Sequence, residues 1–290
     1  MTTAERPHAT QNRLRVRPTP APNPRAKAEA SVADLYALKE YTTASGASAD
    51  GAEHLLCEEL VRAVGQELLR GLGGDAAERV TSARARHVKR GFDLAVTVVS
   101  LIVFFPVLIV AAVWIRLTSP GPVFFLQERL GQNGRWFRAV KFRTMYVDAE
   151  ARLQEMLAHD PARRVEYQKY HKLSNDPRVT KAGRFLRKHN LDELPQLLNI
   201  FRGEMSVVGP RAYLPFEVPD MADTERILVI LQVKPGLTGF WQVAGRNKLS
   251  FDERLDMDVF YVQNWSLGMD LYIIINTAWL MLFASGYGAS

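Results

Sequence analysis

The chain has 290 residues, of which 47% are hydrophobic, so it is long enough to build at least one large globular domain. A net charge of +6 at pH 7 indicates an anionic partner: a nucleic acid, a membrane surface or a phosphorylated substrate. The single cysteine, Cys57, excludes an internal disulfide and a zinc site built on several thiolates.

The N-terminal part of the chain shows no pattern that indicates chemistry. Residues 1–30 are rich in Pro, Ala and Arg and have few large apolar side chains, which predicts a disordered tail. Residues 31–85 contain short helical patterns that stop at glycines, which predicts a small helical extension. The N-terminus lacks the apolar core of a secretory signal, so we expect it to remain in the cytosol.

An apolar stretch follows within residues 86–118. No charged residue occurs from Leu94 to Ile115, and about 20 apolar residues is the length of a membrane-spanning helix. However, Pro106 lies near the centre and should kink or break the helix, and basic residues flank both ends. Two interpretations stay open, a single span and a re-entrant helix-break-helix hairpin that returns to the same membrane surface. The hairpin explains both features and is the prediction adopted for residues 86–118, with Asp93 expected to pair with Lys89 or Arg90.

Short strands and helices are predicted downstream. Val123 to Gln127 and Phe137 to Thr144 are typical of strands, and in the second strand Lys141 and Arg143 would share one face. Residues 148–172 predict a polar helical stretch with a break near Asp160-Pro161.

Helices are also predicted nearer the C-terminus. Gly183 to Lys188 predicts a basic amphipathic helix. Ser250 and Glu253 form a capping box at a helix start, and the apolar run Leu271 to Ala284 predicts an interfacial or membrane-dipping helix.

Asp192 and Glu193 form an adjacent pair of acids in an otherwise basic and apolar segment. Pro195 predicts that a helix begins here, with Asn190 or Asp192 as its N-cap. Its apolar face would comprise Leu194, Leu197, Leu198 and Phe201. A carboxylate at the positive end of a helix dipole can receive a phosphate or stabilise charge on one, whereas a simple capping Asp explains the segment equally well.

Several long motifs in fixed order resemble the monotopic phosphoglycosyl transferases, the bacterial sugar transferase family. The resemblance runs from about Lys89 to the C-terminus. Its motifs are KRGFD (89–93), SPGPVFFLQERLGQNG (119–134), KFRTM (141–145), SNDPRVTKAGRFLRKHNLDELPQLLNI (174–200), GEMSVVGPR (203–211), KPGLTGFWQVAGRN (234–247) and FDERLDMDVFYVQNWSLGMDL (251–271). A match of this extent is very specific. One departure is Phe105, because many relatives have a Ser there whose hydroxyl could bond the carbonyls freed by the proline.

The resemblance implies a mostly α fold with short β elements (α+β): a re-entrant membrane helix hairpin, amphipathic surface helices and a compact cytosolic catalytic domain over residues 119–290. It implies an enzyme of the cytosolic face of the bacterial inner membrane. That enzyme transfers a sugar 1-phosphate from a nucleotide diphosphate sugar to polyprenyl (undecaprenyl) phosphate, which starts a lipid-linked glycan. The C-terminal motifs resemble members that load a hexose phosphate, here from a UDP-hexose, for exopolysaccharide.

The resemblance also assigns site residues. Asp192 would be the nucleophile that forms an aspartyl phosphosugar and a ligand of the Mg²⁺ cofactor, with Glu193 as its partner. The residues expected to bind phosphate or nucleotide are Lys141, Arg143, Arg187 and Arg211, to which we add Arg246. The chemistry agrees, because Mg²⁺ and arginines reduce the repulsion between two anions that must approach each other.

Other functions are less consistent with the sequence. A catalytically silent membrane-bound adaptor of a glycan assembly complex is the alternative, and the intact Asp192-Glu193 pair argues against it. A nucleic-acid binder does not fit, because the basic residues flank membrane-seeking segments and no recognition motif occurs. Homo-oligomerisation stays open.

Overall fold

A computed structural model describes residues 82–170, 173, 175–214, 217, 224–245 and 249–283. The predicted tail (1–30), nearly all of the predicted extension (31–85) and Arg246 lie outside the described residues. The described part comprises the predicted membrane helix and most of the predicted catalytic domain.

Helices dominate the described part of the chain. They are α1 (Ala83–Thr118), α2 (Ala149–His159), α3 (Pro161–Tyr170), α4 (Lys181–Lys188), α5 (Leu197–Arg202), α6 (Thr224–Ile230), α7 (Phe240–Ala244), α8 (Phe251–Asn264) and α9 (Leu267–Phe283). The strands are β1 (Phe124–Leu130), β2 (Trp136–Phe142), β3 (Ser206–Val208) and β4 (Gly236–Thr238), and short 3-10 helices occupy Gln132–Gly134 and Leu191–Gln196. This composition confirms the predicted mostly α, α+β class.

The strands form two small sheets. β1 and β2 pair antiparallel as a hairpin, whose turn holds Asn133 at a φ of 56° next to a glycine. β3 and β4 pair in parallel and bring the Val208-Gly209-Pro210 turn beside Gly236. Gly236 is required there, because a Cβ on it would lie 2.1 Å from the backbone nitrogen of Gly209.

Most predicted local elements are present. The polar stretch breaks at Asp160 into α2 and α3, and the capping box of Ser250 and Glu253 starts α8. The basic amphipathic helix is α4, and the C-terminal helix α9 begins four residues earlier than predicted, at Leu267.

A buried core joins the second half of the chain to the hairpin. It comprises residues of β2, α5, β3, α6, α8 and α9, among them Phe137, Leu197, Ile200, Val208, Tyr261 and Ile273. Asn199 of α5 is fully buried. Its side-chain oxygen accepts a hydrogen bond from the backbone of Val140, and its amide donates to the carbonyl of Arg138. Since these bonds occupy the open edge of β2, they hold α5 against that strand.

The helix α1 is continuous from Ala83 to Thr118. Pro106 lies inside it, so the break expected there is not present in the structure. By length and composition α1 could cross a membrane, and only 11% of its apolar 18-residue stretch is buried. Among the described residues no other helix is both long enough and apolar enough to do so, and α9 is a shorter apolar helix.

Ionic contacts attach the start of α1 to the core. Lys89 pairs with Asp93 at 3.0 Å, as predicted, and also with the buried Asp270 of α9 at 2.8 Å. Asp93 accepts further hydrogen bonds from Ser206 Oγ and the backbone of Val207 in β3. Because both carboxylates are buried and paired, this end of α1 is fixed to β3 and α9.

Candidate active site

The carboxylate pair lies in the 3-10 segment Leu191–Gln196, between α4 and α5. The predicted cap is wrong, since Asn190 adopts a left-handed conformation at φ 53° and its side chain caps nothing. The α-helix begins only at Leu197. The predicted apolar face is also wrong in part, because Leu198 and Phe201 are exposed while Leu194 and Leu197 are buried.

Glu193 forms a short ion pair with Lys141. The Nζ of Lys141 lies 2.7 Å from Oε1 of Glu193, so this predicted phosphate ligand faces the carboxylate pair. Burial alone raises the pKa of Glu193, but the charge and hydrogen bond of Lys141, with Arg129 and Arg211, hold that pKa below its usual value. Glu193 is therefore ionised at neutral pH.

Asp192 is left without such a partner. No described residue donates a side-chain hydrogen bond to its carboxylate, which is half-buried. Burial and the charge of Glu193 raise the pKa of Asp192 to about 6, although Lys141 and Arg187 lower it. A backbone hydrogen bond also lowers this pKa. At pH 7 the carboxylate is therefore mostly ionised and partly desolvated, and no side chain of the described residues bonds it. Such a group suits a nucleophile better than a structural cap.

Further cations approach the pair. Arg187 donates through Nε to Thr144 Oγ1 at 2.9 Å, and its charge acts on Asp192. Arg211 acts on Glu193 and is bonded to Glu217 at 2.8 Å. These cations, together with Lys141, were predicted as phosphate ligands, and the structure brings all of them to the carboxylates.

Arg143 does not join this group. It lies one residue beyond the end of β2, whereas the predicted strand extended to Thr144. Its two terminal nitrogens donate to the carbonyls of Ser119 and Pro120, at 2.6 and 2.8 Å. Burial and the charge of Arg116 lower its pKa. Arg143 therefore fixes the turn after α1, and its assignment as a phosphate ligand stays an untested prediction.

Arg129 is a functional candidate that the sequence prediction missed. It lies near the end of β1, is nearly buried, and donates to the Ala212 carbonyl and to Gln127 Oε1. Burial and Arg211 lower its pKa to about 10, whereas Glu217 and Glu193 raise it. In the sequence Arg129 lies two residues beyond the predicted strand Val123 to Gln127, so no local pattern marked it as a site residue. Its proximity to Glu193 arises from tertiary packing.

A buried acid supports the backbone around Arg211. Asp258 of α8 accepts a hydrogen bond from the backbone of Arg211 at 3.0 Å and from Tyr213 Oη at 2.7 Å. Burial raises the pKa of Asp258 to about 7. The guanidinium of Arg211 also lies 5.9 Å from the ring centre of Trp241. These contacts hold Arg211 facing the carboxylate pair.

The pair also suits a magnesium ion. Among the described residues no group of three or more His, Cys, Asp or Glu side chains could surround a metal. Mg²⁺ needs only one or two carboxylates when substrate phosphates complete its coordination. Asp192 and Glu193 fit this demand, because a cation would relieve the repulsion that raises the pKa of Asp192.

Comparison with known proteins identifies relatives of this chain. The family model of the bacterial sugar transferases matches residues 84–284. An undecaprenyl-phosphate galactose phosphotransferase of Salmonella typhimurium is 42% identical over 203 residues, which are 70% of this chain and 42% of that protein. A UDP-galactose-lipid carrier transferase of Erwinia amylovora is 40% identical over 72% of this chain and 44% of its own length. The chain thus covers less than half of these two relatives.

A shorter relative matches over most of its length. The exopolysaccharide production protein ExoY of Rhizobium meliloti is 44% identical over 189 residues, which are 65% of this chain and 83% of that protein. Since the family model also covers more than half of the chain, the protein belongs to the bacterial sugar transferase family.

Proposed function

We propose that the protein is a phosphoglycosyl transferase that moves a sugar 1-phosphate from a nucleotide diphosphate sugar to polyprenyl phosphate. The observation that carries this proposal is the free, desolvated carboxylate of Asp192 beside an ion-paired Glu193 and within the field of several cations. A silent adaptor would need neither an unpaired carboxylate nor this charge arrangement. The catalytic domain is residues 119–290.

In the first step a carboxylate oxygen of Asp192 attacks the sugar-bearing phosphorus of the donor. An O–P bond to Asp192 forms, and the bridging P–O bond of the diphosphate breaks. The leaving nucleoside monophosphate keeps the electron pair. Arg187, Arg129 and Arg211 reduce the negative charge that accumulates on the phosphate oxygens. Mg²⁺, held by Asp192 and Glu193, would supply further charge neutralisation when bound.

In the second step a phosphate oxygen of polyprenyl phosphate attacks the same phosphorus. The new P–O–P bond forms, the bond to Asp192 breaks, and the Asp192 carboxylate is regenerated. If the attacking phosphate carries a proton, Glu193 accepts it. Lys141 keeps Glu193 ionised before this proton transfer.

The names of the relatives support a proposal for the substrate class. Two of them are named for galactose or UDP-galactose, and a relative from Komagataeibacter xylinus is named an undecaprenyl-phosphate glucose phosphotransferase. We infer that the donor is a UDP-hexose, that undecaprenyl phosphate is the acceptor, and that the product enters exopolysaccharide synthesis.

An assay of the full chain in detergent tests this function. We expect release of uridine monophosphate from UDP-galactose or UDP-glucose, dependent on Mg²⁺ and sustained only when undecaprenyl phosphate is present. Other nucleotide sugars serve as specificity controls. No turnover with any nucleotide sugar would instead support the adaptor.

We further propose that α1 does not cross the membrane and that both of its ends lie on the same side, with a continuous helix that bends at Pro106 in place of the predicted break. Near its start Asp93 and Thr97 are buried, and near its end Ala111 and Ile115 pack against Leu186 of the same domain. A straight helix rises about 33 Å between residues 93 and 115. This exceeds the hydrocarbon core of about 30 Å. A spanning α1 would therefore draw the polar domain through the bilayer.

The surface between these ends is apolar and exposed. The exposed side chains include Val99, Ile102, Val103, Phe105 and Val110. Exposed apolar residues also occur on β1, α4, α5 and α9, among them Phe125, Phe185, Phe201, Ile275 and Trp279. The protein is thus membrane-associated, and we place its catalytic domain at the cytosolic face of the inner membrane.

Cysteine labelling tests the path of α1. Val88 and Leu117 are exposed near its two ends and would each be changed to Cys in a Cys57→Ser background. An impermeant maleimide should label both Val88→Cys and Leu117→Cys in inverted membrane vesicles and neither in spheroplasts. Ile102→Cys, at mid-helix, should stay unlabelled in both. Labelling of the two ends from opposite sides would exclude the re-entrant path.

A further inference from the structure

A cavity of about 140 Å³ lies under the first turns of α1, apart from the carboxylate pair. Its walls come from α1, β3, the segment after α6 and the end of α8. The volume is far above the roughly 15 Å³ that one water requires. None of the cations that act on Asp192 or Glu193 lines it.

The walls of this cavity carry an excess of positive charge. Arg86, Lys89, Arg90 and Lys234 line it, whereas Asp93 is the one acid among its lining residues. Even when the buried Asp270, which pairs with Lys89, is counted, four cations face two carboxylates. Two positive charges are therefore left without a counter-ion.

The cations of the lining that no carboxylate or carbonyl binds directly are Arg86, whose side chain is exposed, and Lys234, whose side chain is half-buried. Arg90 is held by the carbonyls of Ile200 and Phe201 at the end of α5, and Lys89 by its two carboxylates. In the part of the chain that the structure describes, no acceptor bonds the ammonium of Lys234 or the guanidinium of Arg86. Burial and the charge of Arg90 lower the pKa of Lys234, and the charge of Asp93 partly offsets them.

The position of the cavity identifies the source of the anion. Val88, in the same turns of α1, is exposed, and the apolar surface of α1 begins at Val98. Basic residues beside a membrane-seeking helix lie at the depth of the lipid headgroups. Val208, Val233 and Trp265 give the cavity an apolar lining as well. An anion attached to an apolar body suits such a site better than a free ion does.

We propose that this cavity binds the phosphate group of an anionic glycerophospholipid, with Arg86 and Lys234 as its ligands, at a site separate from the transferase centre. A phosphodiester carries the negative charge that the cavity lacks. Polyprenyl phosphate offers similar chemistry, but the acceptor must reach Asp192. Arg90 bonds the carbonyls at the C-terminal end of α5, whereas Asp192 precedes its N-terminal end, so the two sites lie toward opposite ends of this helix. The lipid would anchor the start of α1 at the membrane surface.

Calorimetric titration of the full chain in a non-ionic detergent tests this site. We expect saturable binding of dihexanoyl phosphatidylglycerol and at least 10-fold weaker binding of dihexanoyl phosphatidylcholine, farnesyl phosphate and inorganic phosphate. Arg86→Gln and Lys234→Gln should each weaken the binding roughly 10-fold, and the double variant roughly 100-fold. Arg164→Gln removes one positive charge from the exposed surface of α3 and should change nothing.

Two comparisons keep the outcome decisive. Asp192→Asn should bind the phospholipid like the unmodified chain, so the lipid site and the proposed transferase activity fail or succeed separately. A thermal unfolding midpoint within about 2 °C of the unmodified chain shows that the double variant is folded. Unchanged phospholipid affinity in a folded double variant would overturn the proposal, as would equal affinity for inorganic phosphate or farnesyl phosphate.

Discussion

Replacement of Asp192 with Asn is expected to lower the rate of nucleoside monophosphate release at least about 1,000-fold, as loss of a covalent nucleophile does in other enzymes. An amide oxygen carries no full negative charge and cannot form the aspartyl phosphosugar. The cations around the site remain, so donor binding should change much less than turnover. The measurement is steady-state release of uridine monophosphate with saturating donor and acceptor.

The same substitution should not unfold the protein. Folding raises the pKa of Asp192 to about 6. The ionised carboxylate therefore lowers the free energy of unfolding at pH 7. Removing the charge should increase the unfolding midpoint by about 1–3 °C, a small rise because the side chain is half-exposed. Asp256→Asn makes the same chemical change on the surface of α8, where the carboxylate is 67% exposed, and should retain activity. Full activity in Asp192→Asn would refute its role as nucleophile.

Replacement of Lys141 with Met is expected to lower turnover about 100-fold, the scale for loss of one positioned cation at a charged transition state. Lys141 pairs with Glu193 at 2.7 Å and also stabilises the ionised form of Asp192. Without it, Glu193 loses its partner and the two carboxylates repel each other more strongly. Arg138→Met removes a cation from the exposed, opposite face of β2 and should leave turnover unchanged.

A pH profile separates this electrostatic effect from a fold defect. Asp192 must be ionised to attack, so activity should fall as the pH decreases through about 6. Lys141 lowers the pKa of Asp192, and its removal should move this decline to higher pH. Glu193 raises that pKa, so Glu193→Gln should move the decline to lower pH. An unshifted decline in both variants would show that neither charge acts on Asp192.

Local sequence signals predicted those parts of the fold that local interactions determine. The break between α2 and α3, the capping box of α8 and the pairing of Lys89 with Asp93 each involve residues close in the chain. Hydrogen-bond and helix preferences act over that range, so the sequence alone was sufficient.

Contacts between distant segments could not be predicted in this way. Asn199 bonds the edge of β2 from about sixty positions further along the chain. Arg129 bonds the Ala212 carbonyl, and the charge of Glu193 acts on it, because tertiary packing brings β1 close to both residues. Arg143 looked like a second cation beside Lys141, but β2 ends at Phe142 and the side chain turns to the carbonyls after α1. The residue at which a strand ends depends on tertiary packing rather than on the alternation of basic and apolar side chains.

The membrane environment explains the remaining differences. Leu198 and Phe201 fit a helical pattern that normally marks a buried face, but both are exposed. Much of α1 and α9 is exposed on the same surface, where lipid can cover such residues. The helical spacing of apolar residues therefore does not distinguish a face buried in the core from a face that contacts the membrane. Pro106 interrupts the apolar helical sequence of α1, but the helix continues through it to Thr118.

Mass spectrometry of the enzyme after incubation with donor alone tests the central claim most directly. With Mg²⁺ and UDP-hexose but no polyprenyl phosphate, the chain should gain the mass of one hexose phosphate, located on the peptide that contains Asp192. Adding undecaprenyl phosphate should remove the adduct, and Asp192→Asn should never form it. An active enzyme that shows no adduct, and that releases uridine monophosphate only when both substrates are present, would contradict the covalent mechanism.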